Sequence, residues 1–378
     1  MRITSLVLLL VPVTLAAGQS PQSSVAVAVG EHLAGVRENS EGHLDKAESH
    51  YRNAIAIWDQ LAPAQPQLQA ITLISLADLL AASERLPEAH TLLDRALVIA
   101  QPLEQKSPDV VASVISHLGA FYGRTEQPER GRPLLNEAIR RFGELKDPDI
   151  AEVAYAYSAL GMLDLGAGKY SDGEASLREA VTRAVKALGE THPETIGYQT
   201  NLALALYYEG HFNRAEVLLQ RARLMADKNT DLLSAAILSE LAAVECALGK
   251  FGTAENLTEE ALVVLSRNHG PHTLEVAALK VSLATLYLRE HRVAAAARIL
   301  PDAVQLERSL AVDPRVRADG IRRLADLRAQ QRNWSEAEEL YRESISLYRE
   351  RLGANHPDIA AVLRDYAVAV KHNKGHQS

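Results

Sequence analysis

Small residues return through this chain at a nearly constant interval. Ala47, Ala89, Gly131, Gly173, Ala215, Ala254, Ala296 and Ala337 follow one another at 42, 42, 42, 42, 39, 42 and 41 residues. Twelve positions before each stands another small residue: Gly35, Ala77, Gly119, Gly161, Ala203, Ala242, Ala284 and Ala325, with Ala367 opening a ninth unit. A third column lies seven positions after the first: Ala54, Ala96, Ala138, Ala180, Ala222, Ala261, Ala303 and Ser344. Side chains this small recur where backbones come close, and a repeat of this length marks a stacked array.

Each unit reads as two amphipathic helices. In 193–226, Leu202 and Leu206 lie one turn apart on the first, and Phe212, Ala215, Leu219 and Ala222 recur at three- and four-residue steps on the second. Gly210 marks the turn between them, echoed by Gly42, Gly168 and Gly249. Neither helix can bury its apolar face within one unit, so neighbours must supply the core. The expected fold is all-α, an α-solenoid of about eight helix pairs with a C-terminal capping helix. The repeats lie near 25–58, 67–100, 108–142, 148–186, 193–226, 231–265, 272–308 and 314–350, with the cap at 357–372 and a tail at 373–378.

The stretches "NLALALYYEGHFNRAEVLLQRA" (201–222), "ALGKFGTAENLTEEAL" (247–262) and "QRNWSEAEELYRESI" (331–345) resemble the tetratricopeptide repeat, in the 42-residue variant of kinesin light chains. The resemblance spans about residues 25–372. It implies a right-handed superhelix whose first helices line a concave groove that binds a protein or peptide segment. Counted from the small column, the groove positions are Ser116, His117, Ala120 and Arg124; Thr200, Asn201, Leu204 and Tyr208; Val281, Ser282, Thr285 and Arg289; and Arg322, Arg323, Asp326 and Gln330. The family often carries Asn where Asn201 stands; the other units have Ser75, His117, Ala159, Glu240, Ser282 and Arg323. Arg289, Arg322 and Arg323 gather toward the C-terminal end, which favours an acidic segment there.

A histidine–proline motif, "LGETHPET" at 188–195 and "LGANHPDI" at 352–359, invites a metal or general-base reading of His192. Register argues otherwise. The equivalent stretches are "KSPDV" (106–110), "KDPDI" (146–150) and "VDPRV" (312–316), so the proline stays while Ser107, Asp147 or Asp313 replaces the histidine. Proline at the first helical position loses no hydrogen bond and pushes its predecessor out of the helix. The motif is expected to end one repeat and start the next, with Ser107, Asp147 and Asp313 as N-caps.

Other chemical motifs are absent from the sequence or incomplete. "GAGKYS" at 166–171 has Leu163 where a phosphate-binding loop needs Gly, and Tyr170 where it needs Ser or Thr. His269 with His272, and His372 with His376, have no Cys or carboxylate at ligand spacing. Cys246, the only cysteine, sits in an Ala-rich helix and reads as a packing residue. No metal, cofactor or catalytic residue is expected. A formal charge of −8 without a basic run argues against nucleic acid as a partner.

"MRITSLVLLLVPVTLAAGQS" has Arg2, an apolar run from Ile3 to Ala17 and small residues before Gln19, the three-part pattern of a signal peptide over 1–18, followed by a short linker at 19–24. The run is shorter than the ~20 residues of a spanning helix and contains Pro12, so no membrane insertion is expected after cleavage. The expectation is an exported, periplasmic or secreted, non-catalytic scaffold in a bacterial setting. Two alternatives stand beside it: an enzyme or enzyme subunit of the cell envelope, for which Asp326 and Glu240 are the available groove acids, and a self-assembling spacer.

Overall fold

The computed structural model describes residues 21–61, 65–125, 127–226, 231–310, 314–352 and 357–377. The expected leader, Asp313 and His356 lie outside them. The described residues form seventeen α-helices and no strand. They divide into two compact units, Met1–Gly210 and His211–Ser378.

The first unit holds α1 (Pro21–Ser40), α2 (Leu44–Leu61), α3 (Pro66–Ala82), α4 (Leu86–Ala100), α5 (Pro108–Arg124), α6 (Pro128–Glu144), α7 (Ile150–Gly166), α8 (Tyr170–Leu188) and α9 (Pro193–Tyr208). The second holds α10 (Phe212–Met225), α11 (Asp231–Ala247), α12 (Phe251–His269), α13 (Leu274–Arg289), α14 (Val293–Ser309), α15 (Pro314–Gln330), α16 (Trp334–Leu352) and α17 (Pro357–Gln377). Odd-numbered helices are the first members of the pairs. Within each unit a helix packs on its partner and on the next pair, as a solenoid requires.

The columns explain the close packing. A Cβ built on Gly119 would stand 2.8 Å from Leu135 Cγ and 3.1 Å from the Gly131 carbonyl, and one on Gly161 would stand 2.6 Å from Leu177 Cγ. The α5/α6 and α7/α8 pairs therefore cross at glycines, where any side chain would force the backbones apart. Elsewhere alanine suffices: Ala77, Ala203, Ala284 and Ala325 are fully buried. Leu73, Leu93, Leu135, Leu177 and Ile196 fill the first unit, and Leu219, Ile237, Leu300 and Tyr348 the second.

The turns between paired helices share one left-handed slot. Gly42, Gly168, Gly210 and Gly249 occupy it at φ 72° to 80°, while Glu84, His291 and Arg332 fill the same slot at φ 57° to 62°. Only glycine enters that region without steric cost.

The inter-repeat motif acts as punctuation, with two corrections. His192 precedes α9, and its Nδ1 accepts from the Glu194 backbone N–H at 3.3 Å, so this histidine is itself an N-cap. Ser107 precedes α5 but its side chain makes no cap bond; its hydroxyl instead accepts from Gln67 Nε2 at 3.3 Å, a bond to the preceding first helix. Asp147 is not a cap either. Helix α7 starts at Ile150, because the Asp149 carboxylate accepts from the Ala151 N–H at 3.0 Å and fixes the start two residues beyond Pro148.

Candidate functional site

The face away from the paired second helices is shared by successive first helices, and in the first unit it carries an ionic row. The His117 imidazole on α5 forms ion pairs on both sides, with Nδ1 2.7 Å from Asp78 Oδ2 on α3 and Nε2 3.5 Å from Glu152 Oε2 on α7. The Tyr155 ring, one turn along α7, stacks on the imidazole at 4.1 Å and 16°. One cation thus joins three consecutive first helices.

Electrostatics fixes its charge. Burial alone would lower the His117 pKa, but the two carboxylates outweigh it and hold the imidazole at about 10. Burial pushes the other way on Glu152, and its contact with the imidazolium outweighs that and keeps the carboxyl below its ordinary value. Near pH 7 the trio is two carboxylates and one imidazolium, a net single negative charge. A histidine that stays protonated at that pH cannot serve as a general base. Burial, then the charge on Asp78, raises the Tyr155 phenol well above its ordinary range, and burial does the same to Tyr198 on α9.

The expected groove residues divide by exposure. In the first unit His117 and Thr200 are buried, and the Thr200 hydroxyl donates back to the Ile196 carbonyl at 3.0 Å. Asn201 and Leu204 are half-buried, while Arg124 and Tyr208 are exposed. Tyr208 stacks on Tyr170 at 5.2 Å. In the second unit Ser282 and Arg289 are exposed and Thr285 half-buried. The Ser282 and Thr285 hydroxyls turn back to their own helix, donating to the Ala278 and Val281 carbonyls.

The arginines expected to favour an acidic segment are engaged within the chain. Arg322 donates to Asp365 on α17 at 2.8 Å, Arg323 to Asp326 at 3.2 Å, and Asp326 accepts from the Tyr341 hydroxyl at 2.7 Å. Arg289 Nη1 lies 3.3 Å from Cys246 Sγ. Register reasoning missed Asp78, Glu152, Tyr155 and Tyr198. A signal was present: histidine is the odd member of a column that is otherwise Ser, Ala, Asn, Glu or Arg.

Elsewhere Glu38, Glu41 and His43 bring three donor atoms within 4.8 Å of one another, but both carboxylates already approach the His43 ring, at 2.9 and 3.5 Å. No helix among the described residues is long and apolar enough to cross a membrane.

The tetratricopeptide repeat family model matches residues 152–228 and 317–377. A clustered mitochondria protein homolog of Danio rerio is 27% identical over 162 residues, 42% of this chain and 12% of the relative. The mitochondrial tetratricopeptide repeat protein 19 of Rattus norvegicus is 32% identical over 136 residues, 34% of this chain and 37% of its own length. The chain therefore spans only a minor part of these curated relatives. Among solved structures, a Rap protein complexed with competence and sporulation factor shares the fold at a TM-score of 0.58 and 12% identity, over 94% of this chain and 98% of that one. The chain carries tetratricopeptide repeats, a helical repeat fold typical of protein–protein interaction scaffolds.

Proposed function

We propose that this chain is an exported, non-catalytic scaffold that binds a protein or peptide segment along the first helices of its first unit. The observation that carries the reading is the Asp78–His117–Glu152 row. Its helices are tied together before any partner arrives, so little ordering entropy is lost on docking. Asp78 keeps 42% of its side chain exposed at the edge of the row. The net negative charge there selects a segment bearing Lys or Arg, a reversal of the acidic preference suggested by the C-terminal arginines. Tyr198 and Asn201 on α9 add ring surface and an amide for backbone contacts. The relatedness in fold to a Rap protein complexed with competence and sporulation factor is consistent with a partner-binding role. The pattern of residues 1–18 supports export.

The test is fluorescence anisotropy with short extended peptides, lysine- and arginine-rich against glutamate-rich, on the wild type and on Asp78→Asn with Tyr198→Ala. Binding of basic peptides that the double variant weakens about tenfold, ~1.4 kcal/mol, is expected. Equal binding by both proteins, or a preference for acidic peptides, would place the surface elsewhere. N-terminal sequencing of protein recovered from a secreting host tests export, with a first residue near Gln19 expected and an intact Met1 against it.

A further inference from the structure

The last helix stands in the register of a first helix, with Ala367 in the column of Ala77 and Ala242. Ile359, Val362 and Ala369 turn the inner face of α17 onto the preceding pair, where each is at most 2% exposed. That face does the work of a cap. The other face follows the code by which first helices receive their partners. On α3 the triplet Ala70, Leu73, Ala77 is fully buried, and on α11 the same triplet, Ala235, Leu238, Ala242, is 3 to 6% exposed. On α17 it recurs as Ala360, Leu363 and Ala367. There both alanines are exposed, Leu363 is 39% exposed, and Val368 beside them is 53% exposed. All eight earlier members of the Ala367 column are buried.

The fold itself shows what covers such a face: an antiparallel helix that sets a large side chain over the small residue, as Tyr51 does over Gly35, Leu135 over Gly119 and Leu177 over Gly161. Helix α17 carries both halves of that contact, since Leu363 stands four residues before Ala367. We propose that α17 pairs with α17 of a second copy across a twofold axis, each Leu363 seated on the other copy's Ala367. A twofold contact needs such a self-complementary patch. Lys371, where α3 has Ala81 and α11 has Cys246, falls over the partner copy's Ala360, its stem on the methyl and its ammonium in solvent. A single helix pair buries far less than the roughly 1,600 Å² of a standard interface, so the dimer is weak and forms in the micromolar range.

Sedimentation equilibrium of the full chain from about 1 to about 300 μM brackets that range. The mass should rise from 41.2 kDa toward twice that value. Leu363→Glu and Ala367→Glu, both at exposed positions, should keep wild-type circular dichroism and stay monomeric throughout. Val217→Glu, at a residue 66% exposed on α10, should dimerise like the wild type. Amide exchange in α17, slower at the high concentration than at the low one, gives the same reading without any substitution. A wild-type chain that remains monomeric, or a dimer that survives both α17 substitutions, overturns the proposal.

Discussion

Two histidines of the first unit are buried to nearly the same degree, His32 at 2% exposure and His117 at 7%, and they carry opposite charge states. His32, on α1, faces Val29, Trp58, Leu68, Ile71 and Thr72. Neither of its ring nitrogens has a hydrogen-bond partner among the described residues. The Thr72 hydroxyl in that lining is already used, because it accepts from Trp58 Nε1 at 3.2 Å and donates to the Leu68 carbonyl. Burial therefore drives the His32 pKa down to about 4 and the ring stays neutral. His117 has two carboxylates in reach and stays charged. Burial sets the cost of a charge, and the partners decide whether it is met.

The contrast breaks most visibly if the His117 cation is removed. His117→Gln leaves Asp78 and Glu152 without their shared counter-ion and should cost about 3 kcal/mol near pH 7. Adding Asp78→Asn and Glu152→Gln should recover part of that loss. Urea titration checks it; a loss below about 0.5 kcal/mol would mean that the row does not couple the helices. The pH dependence has a definite sign. His117 binds its proton more tightly in the folded state, so its contribution is complete below about pH 6.5 and is lost as pH rises through about 10.

His32 should behave in the opposite sense. Its folded pKa lies below the unfolded value, so stability is lost as pH falls from about 6.5 toward 4, by roughly 3 kcal/mol at the lower end. Amide exchange in α1 and α2 should accelerate over that range, and His32→Phe should flatten the response. A His32→Phe variant with an unchanged acid limb would assign that limb to other groups.

The same rule extends to an acid in the second unit. Glu307 on α14 is 2% exposed, with its Oε2 against Gly320 of α15 and without a hydrogen-bond partner among the described residues. Burial first, and the Asp319 charge second, raise its pKa to about 7. The Tyr348 hydroxyl is bonded to Asp319. A raised acid stabilises while protonated, so its contribution is complete below about pH 4.5 and lost as pH rises through 7. Glu307→Gln should therefore be more stable than wild type by about 3 kcal/mol at pH 8, and the two should converge below pH 4.5. Thermal melts at the two pH values check this.

The smallest effect concerns backbone rather than charge, and it sharpens the point that one register slot can be filled with or without strain. Glu84→Gly and His291→Gly, at left-handed turn positions, should each change stability by no more than ~1 kcal/mol and toward greater stability. A clear loss at either site would show that the side chain holds the turn.

Much of this was legible in the sequence, because the small columns and the inter-repeat prolines are local and periodic. Gly119 and Ala203 announce close approach from their spacing alone, and Pro193 announces a helix start. What a register cannot give is the distance between successive first helices. His117 and Ser282 occupy the same column, yet one is buried between Asp78 and Glu152 while the other is exposed. Asp78, 39 residues before His117, stands in the groove column of Ala120, Leu204, Thr285 and Asp326, whereas Glu152, 35 residues after it, stands at a position that no repeat rule marks. Asp149 rather than Asp147 caps α7 for a similarly local reason, since two aspartates compete for one start and the backbone decides. Arg322 looked available in sequence because Asp365 lies two helices away.

The charge state of His117 is open to direct measurement. A ¹H–¹⁵N NMR titration of the imidazole nitrogens, with His117 assigned by its loss in His117→Gln, should show both nitrogens protonated at pH 7 and a midpoint near 10. His117 titrating near 6.5 or below would contradict the ionic row, and with it the preorganised, negatively charged face on which the proposed binding of a basic segment rests.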